Sequence, residues 1–551
     1  MPSATTPARP SWHGLPFIVP LATKATPLLV APNAINSTSR RVAIVIEVSP
    51  NRIGAKLVDQ MSKHSSQSTA RQHASRSAGP KGRFLIGHLA EFRADRLGFF
   101  MRCARTFGDV VPLRFGHRRL LLLSDPALIE DVFVTQARHF IKHFGLRMYK
   151  PVLGNGLVTS EGEFWRRQRK LAAPAFHPSR LADYAATMAA ATERMLDAWE
   201  PDGTRDIHAD MTAVTLEIAC KTLFGVGAVA DAGVVGRALN DSMEVIGGRM
   251  KRIIRAPFWF PSSANRRLWR SLRTLDEIVL RIIAQGRGAG DGDRPGLLSA
   301  LLAAEDEDGS GMSRRQLLDE VRTLLIAGHE TTALTLTYAL YLLAQNPAEQ
   351  ARLQAEADEV LGDRAPAHAD LPRLRYARQV VNEALRLYPP ADVLGREAIV
   401  DCTIGGIPVR KGTTIFASTW VMHRDPRCFP DPERFEPGRW TEDFERKLPR
   451  FAYFPFGGGP RFCIGQSFAM TEAVMTLAAI ARRFAFAPAP GFELELWPAI
   501  TLRPRRGVRL IVMRRATRDE RQPRRHGGPE QAPPATKPEI RNSKSETNQK
   551  Q

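Results

Sequence analysis

Phe456-Gly-Gly-Gly-Pro-Arg-Phe-Cys463-Ile-Gly465 is the stretch that decides how the rest of the chain reads. Cys463 sits in a glycine-rich loop, with Arg461 two residues before it and Gly465 two after, and Gln466 to Phe484 carry a helical pattern. The cysteine therefore lies just ahead of a helix N-terminus, where free N–H groups and the positive end of the helix dipole favour a thiolate over a thiol. Glycines let backbone N–H groups approach the sulfur, and hydrogen bonds to a thiolate lower its electron density and tune the redox potential of the metal it holds. A lone cysteine beside a glycine turn is more often a buried structural thiol. The four further positions around this one point to a ligand.

The loop resembles the haem-binding loop of the cytochrome P450 family, Phe-x-x-Gly-x-Arg-x-Cys-x-Gly, with Phe456, Gly459, Arg461, Cys463 and Gly465 at the fixed positions. The resemblance implies a mainly α fold with small β-sheets, organised as one large haem-binding domain. It also implies haem b (iron protoporphyrin IX), with Cys463 as its axial thiolate.

Composition agrees with a globular enzyme: of 551 residues, 43% are hydrophobic and 25% charged. Five cysteines without a Cys-x-x-Cys spacing argue against a disulfide framework or a zinc site and suit a reducing, cytoplasmic location. The apolar patches between Gly14 and Val30 are interrupted by Pro16, Pro20, Lys24 and Pro27, short of the ~20 residues that a transmembrane anchor needs. A net charge of +21 invites a nucleic-acid reading. Much of the excess, however, sits at the two ends, which are rich in Ser, Thr, Pro, Gln and Asn, and no nucleic-acid-binding motif is visible. The expected division is a disordered basic extension over 1–75, the haem domain over 76–515 and a disordered tail over 516–551.

The pattern along the chain predicts a hairpin from Val110–Phe115 and Arg119–Leu123, and an amphipathic helix over Phe92–Phe107. Helices dominate up to Leu361. Late strands are expected at Ala398–Cys402, Thr413–Ala417, Phe492–Leu496 and Val508–Met513. Gly286-x-Gly288-x-Gly290 has the wrong context for a dinucleotide fingerprint and reads as a loop.

Ser313-Arg-Arg-Gln316 is a capping-box pattern that opens an apolar periodic run ending at Asn346-Pro347. That is about 33 residues, roughly 50 Å of helix. Midway, Ala327-Gly328-His329-Glu330-Thr331-Thr332 puts polar groups and a glycine costing about 1 kcal/mol into an apolar helix. Both make sense if the backbone opens around a ligand. The motif resembles the family's Ala/Gly-Gly-x-Asp/Glu-Thr-Thr oxygen-activation site, which implies that Thr331 hydrogen-bonds bound dioxygen and Glu330 relays protons to it. A zinc-protease reading of His329-Glu330 fails because no histidine follows four residues after His329.

Glu383-Ala-Leu-Arg386 places a carboxylate and a guanidinium on one helix face among apolar neighbours. A buried pair needs a further partner. The resemblance supplies it from Pro432-Glu433-Arg434-Phe435, making Arg434 the third member of a structural triad that braces the Cys463 loop. It also implies that Trp165, Arg169, Arg461 and Arg396 hold the haem propionates.

Taken together, the resemblance implies a monooxygenase that places one atom of O2 into a small lipophilic substrate by hydroxylation or epoxidation. The chain leaves no second half long enough for a flavin or iron–sulfur reductase. Electrons would then reach a monomeric enzyme from NAD(P)H through a reductase and a ferredoxin or flavodoxin. Peroxide-driven or non-oxygenating relatives, and a haem-based sensor or binding protein, are the alternatives. The intact Glu330-Thr331 pair and the lack of a visible sensor output domain argue against them. An acidic redox partner is expected to dock over the Cys463 side through Arg166, Arg167, Lys170, Arg424 and Arg427.

Overall fold

A computed structural model describes residues 79–226, 232–251, 257–288, 297–302 and 312–515, so the ends expected to be disordered lie outside the described residues. Most of the described chain is helical: α1 (Arg96–Phe107), α2 (Gly162–Ala172), α3 (Pro178–Asp197), α4 (Ile207–Phe224), α5 (Ala232–Lys251), α6 (Ser263–Gly288), α7 (Arg314–Gln345), α8 (Pro347–Leu361), α9 (Arg375–Leu387) and α10 (Gln466–Arg483). The glycines Gly286 and Gly288 thus extend α6 rather than forming a loop.

The 32-residue α7 is the axis of the molecule, packed against α4, α6, α9 and α10. The Ser313 hydroxyl accepts from Gln316 N–H at 3.2 Å to start it, and Pro347 opens α8 straight after its end. From Leu317 to Ala344 it is buried nearly all round, as a helix in the centre of a large core must be. Ala327, Gly328, Thr331 and Tyr341 are the partly accessible exceptions. The helix does not open at its polar motif. Thr331 Oγ1 donates to Ala327 O at 3.0 Å and Thr332 Oγ1 to Gly328 O at 3.4 Å, so the hydroxyls are satisfied on the preceding turn and the helix continues.

Strands β1 (Val110–Phe115), β2 (Arg118–Leu123), β3 (Phe140–Lys142), β4 (Leu394–Ala398) and β5 (Thr414–Ala417) form one sheet in the order β1-β2-β5-β4-β3. Only β2 and β5 in it run parallel. A separate hairpin pairs β6 (Leu496–Pro498) with β7 (Leu502–Pro504). The β7 strand is fixed to the core by Tyr338 Oη–H donating to Leu502 O at 2.9 Å and by Leu502 N–H donating to Pro390 O at 2.8 Å. Strands Gly203–Asp206, Arg509–Arg514 and Phe484–Pro488 make a third sheet.

Three boundaries differ from expectation. The Phe92–Phe107 segment is divided at Asp95, whose extended backbone breaks the helix and whose carboxylate caps α1 by accepting from Gly98 N–H at 2.8 Å. No strand spans Ala398–Cys402, because Ile399 and Val400 turn outward and are exposed. The strand expected over Phe492–Leu496 begins only at Leu496.

Candidate active site

The Cys463 loop is shaped by close backbone contact. Gly459 has φ +66°, and a Cβ there would lie 1.8 Å from Phe133 O, so only glycine fits. Cys463 N–H donates to Phe456 O at 3.0 Å, and Phe456 packs against the main core. At Gly465 a Cβ would meet only Phe176 at an ordinary 3.6 Å. What Gly465 provides is its N–H, which favours the thiolate from the threshold of α10. The sulfur-bearing side chain is accessible yet surrounded by protein mass, the position of a group on the wall of a deep cleft. Burial pushes the free thiol up, and the Gly465 N–H and the Arg169 charge only partly oppose it. A bound metal ion deprotonates a coordinating thiol outright.

Beside this cleft the structure gathers cations. The Arg461 guanidinium lies 4.6 Å from the Trp165 ring centroid, Arg169 5.9 Å and the Lys142 ammonium 6.0 Å. Arg461 pairs with Glu161, but its Nη1 is buried with no partner among the described residues. Arg396 stacks 4.3 Å over Phe133, donates to the neighbouring Gly395 O, and is pushed down to about 10 by burial and by Arg461. Lys142 Nζ donates to Leu157 O at 3.0 Å and Ser160 O at 2.7 Å. Burial, reinforced by Arg461, pushes it down to about 7. A buried excess of positive charge with an unused N–H calls for an anion. The carboxylates of a haem held by Cys463 fit that need. Lys142 and Glu161 were not foreseen: neither belongs to a local motif, and they arrive from β3 and from the residue ahead of α2.

A cavity of about 1490 Å³, which Arg396 also lines, is walled by Ala327, Glu330 and Thr331 of α7, by apolar groups such as Leu153, Val393 and Phe416, and by the β6–β7 hairpin. Glu330 is buried and engaged. Its Oε1 accepts from Arg503 Nε at 2.6 Å, with Arg503 Nη2 also 2.6 Å away, and from the Thr501 hydroxyl. Arg503 Nη1 in turn donates to Asn240 Oδ1 of α5. Burial alone would raise the Glu330 carboxyl, but Arg503 and Thr501 hold it below the ordinary carboxylate range. His329 donates Nδ1–H to Leu325 O at 2.6 Å, and burial lowers its basicity.

The triad has a different third member. Glu383 and Arg386, both wholly buried, form a bidentate pair with two 2.8 Å contacts. The remaining donors to Glu383 are Arg439 Nε at 3.0 Å, Trp440 Nε1 at 2.8 Å and Glu436 N–H at 3.0 Å. Arg434 is not a member: its side chain is exposed, and it offers only its carbonyl to Arg386 at 3.0 Å. The 3₁₀ turn Pro437–Arg439 aims Arg439 at α9 instead. The signal was present as a second Pro-x-Arg-aromatic string, Pro437-Gly-Arg439-Trp440, five residues after the first. Tyr453 Oη–H donates to Asn382 O at 3.0 Å, and Phe454 N–H donates to His423 Nε2 at 3.0 Å, tying the segment that leads to Cys463 to the same block.

A family model of cytochrome P450 matches residues 78–507. The chain belongs to the cytochrome P450 family. Cyclooctatin synthase of Streptomyces melanosporofaciens is 39% identical over 79% of this chain and 95% of its own length. Cyclooctat-9-en-7-ol 5-monooxygenase of the same organism is also 39% identical, over 74% and 89%. The chloroplastic protein LUTEIN DEFICIENT 5 of Arabidopsis thaliana is 33% identical over 74% and 73%. This P450 is a haem-thiolate monooxygenase, an oxidoreductase that uses O2 and a redox partner on a lipophilic substrate. No helix among its described residues is long and apolar enough to cross a membrane.

Of the basic residues expected to form a docking face, Arg166 and Lys170 are exposed and Arg167 is half-buried, with Arg166 paired to Glu163 one turn before it. Arg424 is not available. It is buried, stacked 3.5 Å over Trp420 and bonded to Glu433 at 3.0 Å. Arg427 is neutralised by Asp109 and Asp425.

Proposed function

We propose that this P450 hydroxylates or epoxidises a mostly hydrocarbon, ring-containing molecule of the kind named in its two Streptomyces relatives, cyclooctat-9-en-7-ol being one. The observation that carries this reading is the cavity itself: Ala327 and Thr331 open onto it amid largely apolar walls, with the Glu330–Arg503 pair at its edge. Fatty acids and steroids share the same apolar character and serve as comparators.

Bound haem supplies the iron that activates O2, with electron donation from the thiolate favouring O–O cleavage. Cys463 would hold that iron through its sulfur, with the Gly465 N–H favouring the thiolate. Arg461, Arg396, Arg169 and Lys142 would neutralise the two haem carboxylates, with the Trp165 indole N–H as a further donor. Thr331 turns its hydroxyl from Ala327 O to the cavity and hands on a proton there. Glu330 takes up the replacement proton when Arg503 loosens, because a carboxylate so paired binds protons poorly. The Glu383–Arg386–Arg439 cluster keeps the loop in register. An intact acid–alcohol pair favours turnover with O2 over the peroxide-driven and sensor readings.

Electrons come from NAD(P)H through a reductase and an acidic ferredoxin or flavodoxin that docks near Arg166, Arg167 and Lys170 on α2. Residues 76–515 suffice for this work in a monomeric, cytoplasmic enzyme, and residues 1–75 and 516–551 are dispensable. The test is a panel of terpenoid alcohols, fatty acids and steroids. It is scored first by the haem low-spin to high-spin shift, then by substrate-dependent nicotinamide oxidation with a reduced ferredoxin system and O2. A terpenoid alcohol that gives both the shift and an oxygenated product supports the reading. Cofactor consumption indifferent to every compound contradicts it.

A further inference from the structure

Tyr149 stands where two short helical turns, Phe144–Arg147 and Lys150–Leu153, meet on the wall of the substrate cavity. Its N–H donates to Leu146 O at 3.0 Å, and its carbonyl accepts from Val152 and Leu153 at 2.9 Å each. Thr323 of α7 clips the same segment by donating its hydroxyl to Leu153 O at 2.5 Å. The ring, 4% exposed, packs into the main core, so the phenol is rigidly placed. Among the described residues no group hydrogen-bonds its Oη, and that atom is not sealed off, so it opens onto the cavity. A polar group without a protein partner in a largely apolar wall is where a ligand's own polar group is fixed.

The surroundings of the phenol choose the chemistry of that group. Burial pushes the phenol up to about 12, against the charges of Arg96 and Arg503 and with that of Glu330. It is thus a donor throughout the working pH range, within reach of those three charges. Both arginines are already engaged. Arg96 pairs with the buried Asp392 at 2.6 Å and donates to Ala499 O at 3.1 Å, and Arg503 pairs with Glu330 at 2.6 Å. Arg118 and Arg505, also on the wall, face Glu397 at 3.9 Å and Glu495 at 2.7 Å. Burial, with Arg396 beside it, pushes His143 down to about 3, so that ring stays neutral. A carboxylate brought to Tyr149 would meet paired guanidinium groups and the Glu330 charge, losing hydration without gaining a counter-ion. A neutral oxygen needs only a donor. Asn240 supplies a second one: its Oδ1 accepts from Arg503, which leaves its N–H groups as unused donors on the cavity wall.

We propose that Tyr149 is a specificity residue that donates a hydrogen bond to a neutral oxygen, a hydroxyl or a ketone, already present on the substrate, with Asn240 as the second donor. The proposal rests on the reading of a ring-containing, mostly hydrocarbon substrate and narrows it. An already oxygenated skeleton is favoured over the bare hydrocarbon and over a carboxylic acid. The hydrogen bond fixes one end of a molecule that otherwise makes only apolar contacts, and so selects which carbon is held near Thr331 on the same wall. That oxygen must be installed first, so a hydrating or oxygenating step precedes this enzyme.

The test uses the full-length holoenzyme and sets of compounds that share one polycyclic terpene skeleton: the alcohol, the ketone, the parent hydrocarbon and a carboxylic acid. Cyclooctat-9-en-7-ol serves as the alcohol of one set. Dissociation constants are read from the haem spin shift. The alcohol and the ketone, which both accept, should bind roughly three- to tenfold more tightly than the hydrocarbon, and the acid should bind most weakly. Tyr149→Phe should keep the carbonyl spectrum of the folded haem protein and the affinity for the hydrocarbon, while losing the preference for the oxygenated compounds. Its product from the alcohol should spread over more positions. A general disturbance of the cavity would weaken hydrocarbon and alcohol alike and would count against the proposal. Equal affinity of the wild type for alcohol and hydrocarbon would overturn it while leaving terpenoid oxygenation standing. A preference that persists in Tyr149→Phe would do the same and assign the oxygen to another group. Tightest binding by the acids, or no shift with any set, would overturn both this proposal and the reading on which it rests.

Discussion

Arg503 Nε and Nη2 each lie 2.6 Å from the same oxygen of Glu330, so the acid of the α7 motif is held by a guanidinium from β7, far along the chain. Since Arg503 also bonds Asn240 on α5, Glu330, the hairpin and a wall of the cavity are mechanically connected.

Arg503→Leu is expected to cost about 3–5 kcal/mol at neutral pH, the penalty for stranding a buried carboxylate. The sign follows from Glu330 being held below the ordinary carboxylate range in the native protein. Its pairing contributes stability above the unfolded carboxyl pKa and loses it as pH falls through the native one. The melting-temperature gap between wild type and variant should therefore narrow on acidification, and Glu330→Gln in the variant background should restore part of the loss. A gap independent of pH would show that the pair is not the cause.

Thr331→Ala should leave haem content, substrate-induced spin shift and electron uptake in place while hydrogen peroxide replaces product. The hydroxyl now donates to Ala327 O and faces the cavity wall, whereas that of Thr332 is buried against Gly328 O. Thr332→Val is thus the control expected to keep coupling. Undiminished product per cofactor consumed in Thr331→Ala would count against the role.

Arg439→Ala and Arg434→Ala separate the two candidates for the third triad position. Losing Arg439 removes a buried donor to Glu383 and should cost about 3–5 kcal/mol and lower haem loading. Losing the exposed Arg434 side chain should stay within about 0.5 kcal/mol. Chemical denaturation with haem quantified in parallel decides it, and the reverse ranking would restore Arg434.

His423 gives an acid limit to stability. Burial, aided by Arg386 and Arg424, pushes its pKa down to about 3, while the unfolded chain titrates near 6.5. Between those values the unfolded state binds a proton that the native state refuses, so stability should fall as pH drops below about 6.5. His143, on the cavity side, is pushed down to about 3 in the same way. His423→Gln keeps an acceptor for Phe454 N–H. It should flatten the decline in melting temperature between pH 7 and 4, and an unchanged slope would exonerate this histidine.

What the chain's local strings announced was chemistry confined to one turn or one helix face: Cys463 with Gly465, Glu330 with Thr331, Glu383 with Arg386, and Trp165 with Arg169. Their partners were hidden because contact distance and sequence distance part company. Glu161 reaches Arg461 across 300 positions and Arg503 reaches Glu330 across 173. No helical or strand period links such pairs. Arg434 was chosen over Arg439 because two similar strings stand five residues apart and only the 3₁₀ turn decides which side chain faces α9. The strand misplaced onto Ala398–Cys402 reflects the same limit: Ile399 and Val400 are apolar by type, yet the turn there puts them in water.

The most direct test of the account is the ferrous–carbonyl difference spectrum of Cys463→His beside that of the wild type. The wild type should show the red-shifted thiolate-type band, and the variant, with haem content measured separately and retained, should lose it. Survival of that band without the Cys463 sulfur would contradict the assignment on which the rest of the site depends.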